Sequence, residues 1–148
     1  MSKVTFDTSV FITYKPAKLP AGFVLSAVVV QELAAGALDK SDLQKLNAAR
    51  RVYEKENRLL VPTGEDWWLA GKVLNSLLRG LKSKAKGLAP RMSKAEQQRI
   101  IRDVLIAITA QRAGALVVTD NLRDFEKIRR FCNLRLKSGA DFFNLGGI

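Results

Sequence analysis

The chain has 148 residues, and 47% of them are apolar, so we expect one hydrophobic core and a single domain over residues 1–148. It contains no histidine, which excludes Ser-His-Asp and Cys-His nucleophile systems and every mechanism that uses an imidazole as general base. The only cysteine, Cys132, excludes an internal disulfide and zinc sites made of thiolates alone, and we expect it in the core. Any hydrolysis by this chain would therefore depend on carboxylates, with metal ions as their natural partners.

The chain is strongly basic, with 25 lysines and arginines against 14 aspartates and glutamates and a net charge of +11. A charge of this size attracts phosphate backbones or an acidic protein partner, and it does not choose between them. The longest apolar run, within residues 23–30, is far shorter than a membrane span. The first residues also lack the apolar stretch of a secretory signal. Together these features predict a cytoplasmic protein.

The first third of the chain begins with a predicted strand, residues 3–6, which ends at Asp7. Asp7 and the two residues after it are good helix caps, so a helical turn is expected over residues 10–14. The segment from Ser26 to Gly36 is ambiguous. Its β-branched residues favour a strand, whereas Ser26 as N-cap and Gly36 as C-terminal stop frame a helix.

The middle of the chain contains two amphipathic patterns and one basic segment. Helical spacing of apolar residues predicts a helix within residues 41–57, and a short strand over residues 58–61 follows. Thr63 then caps a second helix, whose apolar stripe is predicted to be core. The stripe consists of Trp67, Ala70, Leu74, Leu77, Leu78 and Leu81. Residues 83–90 are predicted to form a basic loop.

The last third of the chain begins with a capping-box pattern, Ser93 to Glu96, which predicts a long helix that ends at Ala113 before Gly114. A strand over residues 115–119, a helix over 122–130 and a strand over 134–136 complete the alternation. Strands separated by helices predict a parallel sheet with helices on its faces.

Acidic side chains occur where such a sheet collects ligands, just beyond the carboxyl ends of its strands. Asp7 follows the first strand, and Asp120 and Asp124 follow the strand at 115–119. Asp103 lies on an apolar face of the long helix, and Glu32 lies within an apolar segment. A buried carboxylate needs a cation. A salt bridge to arginine or lysine and a bound metal ion both remain open.

Four acidic motifs occur in order along the chain. They are Asp7-Thr8-Ser9-Val10, Ser26 followed by Glu32-Leu33, Asp103 to Ala110, and Thr119-Asp120-Asn121 with Asp124-Phe125. In order and spacing they resemble the motifs of PIN domains, and they are most similar to those of VapC-type toxin ribonucleases. The resemblance implies an α/β fold of the PIN-like (Rossmann-like) type, three-layer α/β/α, with a parallel central sheet of four to five short strands. It also makes residues 26–35 a helix.

The resemblance implies roles for these residues. The catalytic, metal-binding carboxylates would be Asp7, Glu32, Asp103 and Asp124. Oxygen-only ligands favour Mg²⁺ or Mn²⁺. Asp120 would be either a further metal contact or a helix cap. Donors that orient the carboxylates would be Thr8, Ser26, Thr119 and Asn121, although helix capping would equally explain Thr8 and Ser26.

The implied function is a metal-dependent endoribonuclease, the toxin of a toxin–antitoxin pair, which cuts tRNA or rRNA. Its partners would be a small antitoxin protein and a second copy of the chain in a homodimer. A non-catalytic RNA-binding module and a housekeeping RNA-processing nuclease without antitoxin are the alternatives. The basic stretch from Arg79 to Arg102 is either a solvated face or an RNA-binding surface. In the second case, the residues predicted to contact RNA are Lys82, Lys84, Lys86 and Arg91.

Overall fold

The computed structural model describes residues 3–85 and 92–145. These residues form five strands: β1 (Lys3–Phe6), β2 (Leu25–Ser26), β3 (Leu59–Leu60), β4 (Ala115–Thr119) and β5 (Leu136–Ser138). They also form seven α-helices: α1 (Thr8–Thr13), α2 (Ala27–Ala35), α3 (Lys40–Lys55), α4 (Gly64–Ala85), α5 (Lys94–Ala113), α6 (Leu122–Arg129) and α7 (Gly139–Leu145). A 3-10 turn covers Pro16–Lys18. No helix in the described part of the chain is long and apolar enough to cross a membrane.

All strand pairs are parallel. β4 lies between β1 and β5 in a three-stranded sheet, and β2 pairs with β3. The two sheets meet where the Val24 amide donates to the Val4 carbonyl at 2.9 Å and the Thr5 hydroxyl donates to the Val24 carbonyl at 2.8 Å. The spatial order is therefore β3-β2-β1-β4-β5. This confirms the predicted α/β fold with a parallel sheet of short strands.

Helices cover both faces of the sheet because successive side chains of a strand point to opposite faces. Ala115 and Val117 of β4 belong to the larger core cluster, which also contains residues of α2, α4, α5 and α6. Val118 packs on the other face with Phe6 and Val10, next to residues of α7. The three-layer arrangement follows from this alternation. Cys132, predicted in the core, is half-buried and packs at its edge.

Capping residues set the helices that position the acidic side chains. The Ser26 hydroxyl accepts from the amides of Val28 and Val29, so the ambiguous segment is a helix despite its β-branched residues. The Ser93 hydroxyl accepts from the Glu96 amide at 3.1 Å and begins α5, as its capping pattern predicts. Gly114 ends α5 with φ +69°, a left-handed conformation that favours glycine.

Some predicted boundaries are wrong, and one helix is absent from the prediction. Helix α4 continues to Ala85, so residues 83–85 are not loop, because alanine and lysine are good helix formers; residues 86–90 lie outside the described part. The last strand is β5, two residues later than predicted, and Leu134 is instead buried in the core. Helix α7 was missed. The Ser138 hydroxyl accepts from the Asp141 amide and caps it.

The predicted core stripe of α4 is also wrong at its first residue. Trp67 is 56% exposed, whereas Asp66, Ala70 and Val73 are buried. The packed face is therefore displaced by one residue at the start of the helix. Asp66 fixes this rotation because its carboxylate accepts from the Thr63 amide and pairs with Arg112 at 3.0 Å. A sequence pattern that weighs only apolar residues does not detect such an anchor.

Truncation of the core residue Leu105, which is 1% exposed on α5, should destabilise the protein strongly. We expect Leu105→Ala to lower the free energy of unfolding by about 2–5 kcal/mol, since it removes buried methyl groups and leaves a cavity. The matched control is Val52→Ala on α3, where the side chain is 52% exposed and the change should stay within about 0.5 kcal/mol. Urea unfolding measures both, and equal losses would contradict this description of the core.

Candidate active site

Asp7 lies at the carboxyl edge of the sheet, immediately after β1, and is 5% exposed. Its amide donates to the Val118 carbonyl at 3.1 Å, which continues the β1–β4 pairing by one residue. The carboxylate accepts from two hydroxyls, Ser9 at 2.5 Å and Thr119 at 2.7 Å. Burial raises the pKa of Asp7, these hydrogen bonds lower it, and the charge of Asp120 raises it. Asp7 is thus a buried carboxyl in a fixed orientation.

Asp103 is buried on α5, with 8% of its surface exposed, and its Oδ2 has no hydrogen-bond partner among the described residues. The pKa of this carboxyl is raised to about 8, chiefly by burial. Three further carboxylates raise it through their negative charges: Asp7, Glu32 and Asp124. The positive charge of Arg99 acts in the opposite direction. Helix α5 thus brings Asp103 within electrostatic reach of all three.

Glu32 and Asp124 lie beside arginines of α5. The nearest atoms are Glu32 Oε2 and Arg102 Nε at 3.8 Å, and Asp124 Oδ2 and Arg99 Nε at 4.0 Å. Asp124 is in the first turn of α6, where it also accepts from the Asn121 side-chain amide at 2.9 Å. Both carboxylates are half-buried, so water screens their charges only in part.

Asp120, in contrast, is exposed at the end of β4. Its amide donates to the Ser9 hydroxyl at 3.1 Å, and its carboxylate accepts from the Tyr14 hydroxyl at 3.4 Å. A Cβ on Gly139 would overlap the Asp120 Oδ1 atom, so a larger residue at this position would displace the carboxylate. Asp120 acts on the pKa of Asp7 and is not among the groups that shift Asp103. It therefore belongs to the Asp7 side of the cluster.

Two of the four predicted orienting residues hydrogen-bond to site carboxylates. The Thr119 hydroxyl donates to Asp7 and accepts from the Asn121 amide at 2.8 Å, while the Asn121 side chain reaches Asp124. Ser26 instead caps α2, and the Thr8 hydroxyl oxygen is buried without a partner in the described residues. A hydrogen-bonded chain thus links Asp7 to Asp124.

The acidic side chains face one another without forming a ready ligand set. Within residues 3–85 and 92–145, no group of three or more His, Cys, Asp or Glu side chains is arranged to hold a metal ion. Glu32 and Asp124 instead lie near Arg102 and Arg99, and like charges repel one another unless a cation lies between them. A cation between these carboxylates would pair with the unpartnered Oδ2 of Asp103 and would lower the raised pKa of this carboxyl. The donor set therefore fits a hard, oxygen-binding divalent ion.

Comparison with solved structures identifies the fold. VapBC-1 from nontypeable Haemophilus influenzae aligns over 91% of this chain and 96% of its own chain, with a TM-score of 0.54 and 21% identity. DNA-bound VapBC from Salmonella typhimurium aligns over 93% and 98%, with the same score and identity. The chain has the VapC-like PIN fold. No family model and no curated protein matches the sequence. The structural similarity to these two proteins covers nearly the whole chain.

Sequence reasoning on the PIN motifs missed some neighbours of the carboxylates. Ser9 links Asp7 to the Asp120 amide, and its position two residues after Asp7 was an available signal. Arg99 and Arg102 enter the sequence prediction only as part of a basic stretch, although Arg99 precedes Asp103 by one helical turn and Arg102 precedes it by one residue. Of the predicted RNA contacts, Lys86 and Arg91 lie outside the described residues, as do the side chains of Lys82 and Lys84.

The metal-free protein should lose stability as the pH rises from about 4 to about 8. In this range the Asp103 carboxyl is ionised when unfolded but protonated when folded, because its pKa rises from the ordinary 3.8 to about 8. Folding then binds a proton, so each pH unit costs up to about 1.4 kcal/mol. Asp7, whose pKa is also raised, adds to the slope. Urea unfolding in EDTA across this range measures it.

Asp103→Asn should make this slope shallower and leave the protein more stable than wild type at pH 8, because the amide cannot ionise. Asp42→Asn, at an exposed position on α3, is the matched control and should keep the wild-type slope. Equal slopes for wild type and Asp103→Asn would contradict the assignment of the raised pKa.

Proposed function

We propose that this protein is a metal-dependent endoribonuclease and the toxin of a toxin–antitoxin pair. The observation that supports the nuclease activity best is the buried Asp103, which has an unpartnered oxygen and lies within electrostatic reach of three other carboxylates. Asp7 of this cluster follows β1 at the carboxyl edge of the parallel sheet, where α/β proteins bind ligands. The net charge of +11 favours a phosphate-rich substrate.

Four residues would hold Mg²⁺ or Mn²⁺: Asp7, Glu32, Asp103 and Asp124. Asp120 would join them from the Asp7 side. When bound, such an ion supplies a nucleophilic water at neutral pH and a positive charge at the leaving oxygen. Occupation of the site would favour ionised carboxylates, because it replaces repulsion between them by attraction to a shared charge.

The chain's own contribution is position and orientation. Hydrogen bonds from Ser9 and Thr119 fix both oxygens of Asp7, so little reorganisation is needed when charge develops at the reacting phosphate. Thr119 also connects to Asp124 through Asn121, and this chain of bonds holds carboxylates from β1 and α6 in one relation. Water attack on the phosphodiester would leave 5′-phosphate and 3′-hydroxyl ends.

The toxin role and the partners rest on the comparisons. Both neighbours are VapBC complexes, one of them with DNA bound, and we propose a small antitoxin as the partner of this chain. We also propose a homodimer. Trp67 and Trp68 at the start of α4 are 56% and 69% exposed, and a dimer interface would remove these large apolar side chains from water.

Purified protein should cut a pool of tRNA and rRNA into discrete fragments with Mg²⁺ or Mn²⁺, and EDTA should abolish the cleavage. The double variant Asp7→Asn/Asp103→Asn should lose activity by at least about 100-fold, since it removes two charges that would hold the ion. Gel electrophoresis and end-group analysis measure the products.

Asp42→Asn should retain the wild-type activity because its carboxylate is exposed on α3 and is not among the groups that shift the pKa of Asp7 or Asp103. Equal cleavage in EDTA, or cyclic phosphate ends, would rule out this mechanism. RNA binding without cleavage in any metal would instead favour the non-catalytic RNA-binding module.

The product of the reading frame adjacent to this one should bind the protein and restrain its ribonuclease activity. Co-purification, together with cleavage assays at increasing amounts of the partner, measures this. If the neighbouring product neither binds nor inhibits, and expression of the nuclease alone does not arrest growth, a housekeeping nuclease without antitoxin is the better description.

A further inference from the structure

Two arginines of α5 share a helix face with the buried carboxylate of the site. Arg99 lies three residues before Arg102 and four residues before Asp103. Residues three and four apart are neighbours on a helix surface. Arg99 lies near Asp124 and Arg102 lies near Glu32. Asp103 and its two flanking acids are therefore accompanied by two guanidinium groups.

Neither guanidinium is engaged in a close hydrogen bond within residues 3–85 and 92–145. The carboxylate distances of 4.0 Å for Arg99 and 3.8 Å for Arg102 are ion contacts beyond hydrogen-bond length. Arg102 Nε is buried without a partner in the same residues, although a buried N–H group that lacks an acceptor is costly. The two arginine side chains are nevertheless 55% and 38% exposed, so their remaining guanidinium donors are available to another acceptor.

Arg50 on α3 shows the difference. It donates to Glu54 at 2.6 Å and to Asn47 at 2.8 and 3.0 Å, so each of its three guanidinium nitrogens is hydrogen-bonded within the protein. All three arginines lie near a carboxylate and are partly exposed, with side-chain exposures of 36%, 55% and 38% for Arg50, Arg99 and Arg102. Of the three, only Arg99 and Arg102 lie beyond hydrogen-bonding distance of the neighbouring carboxylate. Pairing with a carboxylate does not by itself explain their placement.

We propose that Arg99 and Arg102 bind the phosphates of the nucleic-acid backbone next to the bond held at the carboxylate site. This inference rests on the proposed nuclease function and assigns the substrate-binding residues of the same site. A planar guanidinium matches two phosphate oxygens at once, which makes arginine well suited to this contact.

The carboxylates make such a contact necessary. Negative side chains that gather a metal ion also repel the phosphate that must approach it. Glu32 and Asp124 would attract Arg99 and Arg102 less strongly if they held a divalent ion. The guanidinium groups would then be able to turn to a substrate phosphate at the same site. The loose ion contacts are consistent with this exchange because no short hydrogen bond has to be broken.

The test measures binding of a short, labelled, single-stranded RNA, with Ca²⁺ as the cation and a gel to show that the RNA stays intact. Fluorescence anisotropy is recorded from about 50 to about 200 mM salt. Each of Arg99→Gln and Arg102→Gln should weaken binding about tenfold. Each should also reduce the slope of log affinity against log salt by about 0.7, the value for one phosphate contact on a single strand.

Arg50→Gln is the matched control, since it removes the same charge from another carboxylate-paired arginine, and it should leave the binding curve and slope unchanged. Arg99→Lys and Arg102→Lys keep the charge but lose the planar guanidinium that can donate two parallel hydrogen bonds. These variants should therefore retain the salt slope and bind the RNA with intermediate affinity. Circular dichroism checks that each variant is folded.

Wild-type slopes in both glutamine variants would overturn the inference. Tighter Mn²⁺ binding by these variants, with unchanged RNA binding, would show that the arginines serve only as counterions of the carboxylates. If wild type cleaves RNA but the variants bind it normally, the inference is wrong and the proposed function stands. If wild type neither binds nor cleaves RNA, both are wrong.

Discussion

The parallel pairing of β1 with β4 is the constraint on which the rest of the site depends. Its register sets Phe6 beside Val118, so Asp7 follows one strand where Thr119 ends the other. The hydroxyl of Thr119 then reaches both the Asp7 carboxylate and the Asn121 amide. A slip of one residue would exchange the faces of β1 and remove Phe6 from its aromatic cluster. Core packing and the geometry of the carboxylates are thus fixed by the same register.

This geometry concentrates negative charge in a poorly solvated place, and the protein compensates in three ways. Asp103 tends to keep its proton, because its pKa is raised to about 8. Asp7 receives two hydroxyl hydrogen bonds, while Glu32 and Asp124 lie near arginines. This compensation is incomplete, since Asp103 Oδ2 still lacks a hydrogen-bond partner in the described part of the chain. A cluster of buried acidic groups that lowers the stability of the fold in this way is typical of a functional site.

Local signals explain which elements the sequence predicts well. Helix α5 has a capping serine at its start and a left-handed glycine at its end, and β4 is an apolar run of strand-forming residues, so both lie where expected. The rotation of α4 depends on Asp66 and Arg112, which are far apart in sequence. Helix α7 packs Phe142 and Phe143 against Phe6. Such tertiary contacts are not visible in the local sequence, although the Ser138 cap of α7 is a local signal that could have predicted this helix.

The candidate site also combines features that the sequence predicts with features that it does not. Parallel strands bring their carboxyl ends to one edge, so the sequence was enough to expect Asp7 near the residues that follow β4. It did not give the distances between side chains, because these reflect a balance of repulsion, burial and competing cations. Arg99 and Arg102 illustrate the point: their spacing from Asp103 is visible in the sequence, yet their loose contacts are not. A pair at 2.6 Å, such as Arg50 with Glu54, has reached its hydrogen-bonded minimum. Contacts of 3.8 and 4.0 Å beside a buried acid leave both partners able to gain from further ligands of opposite charge.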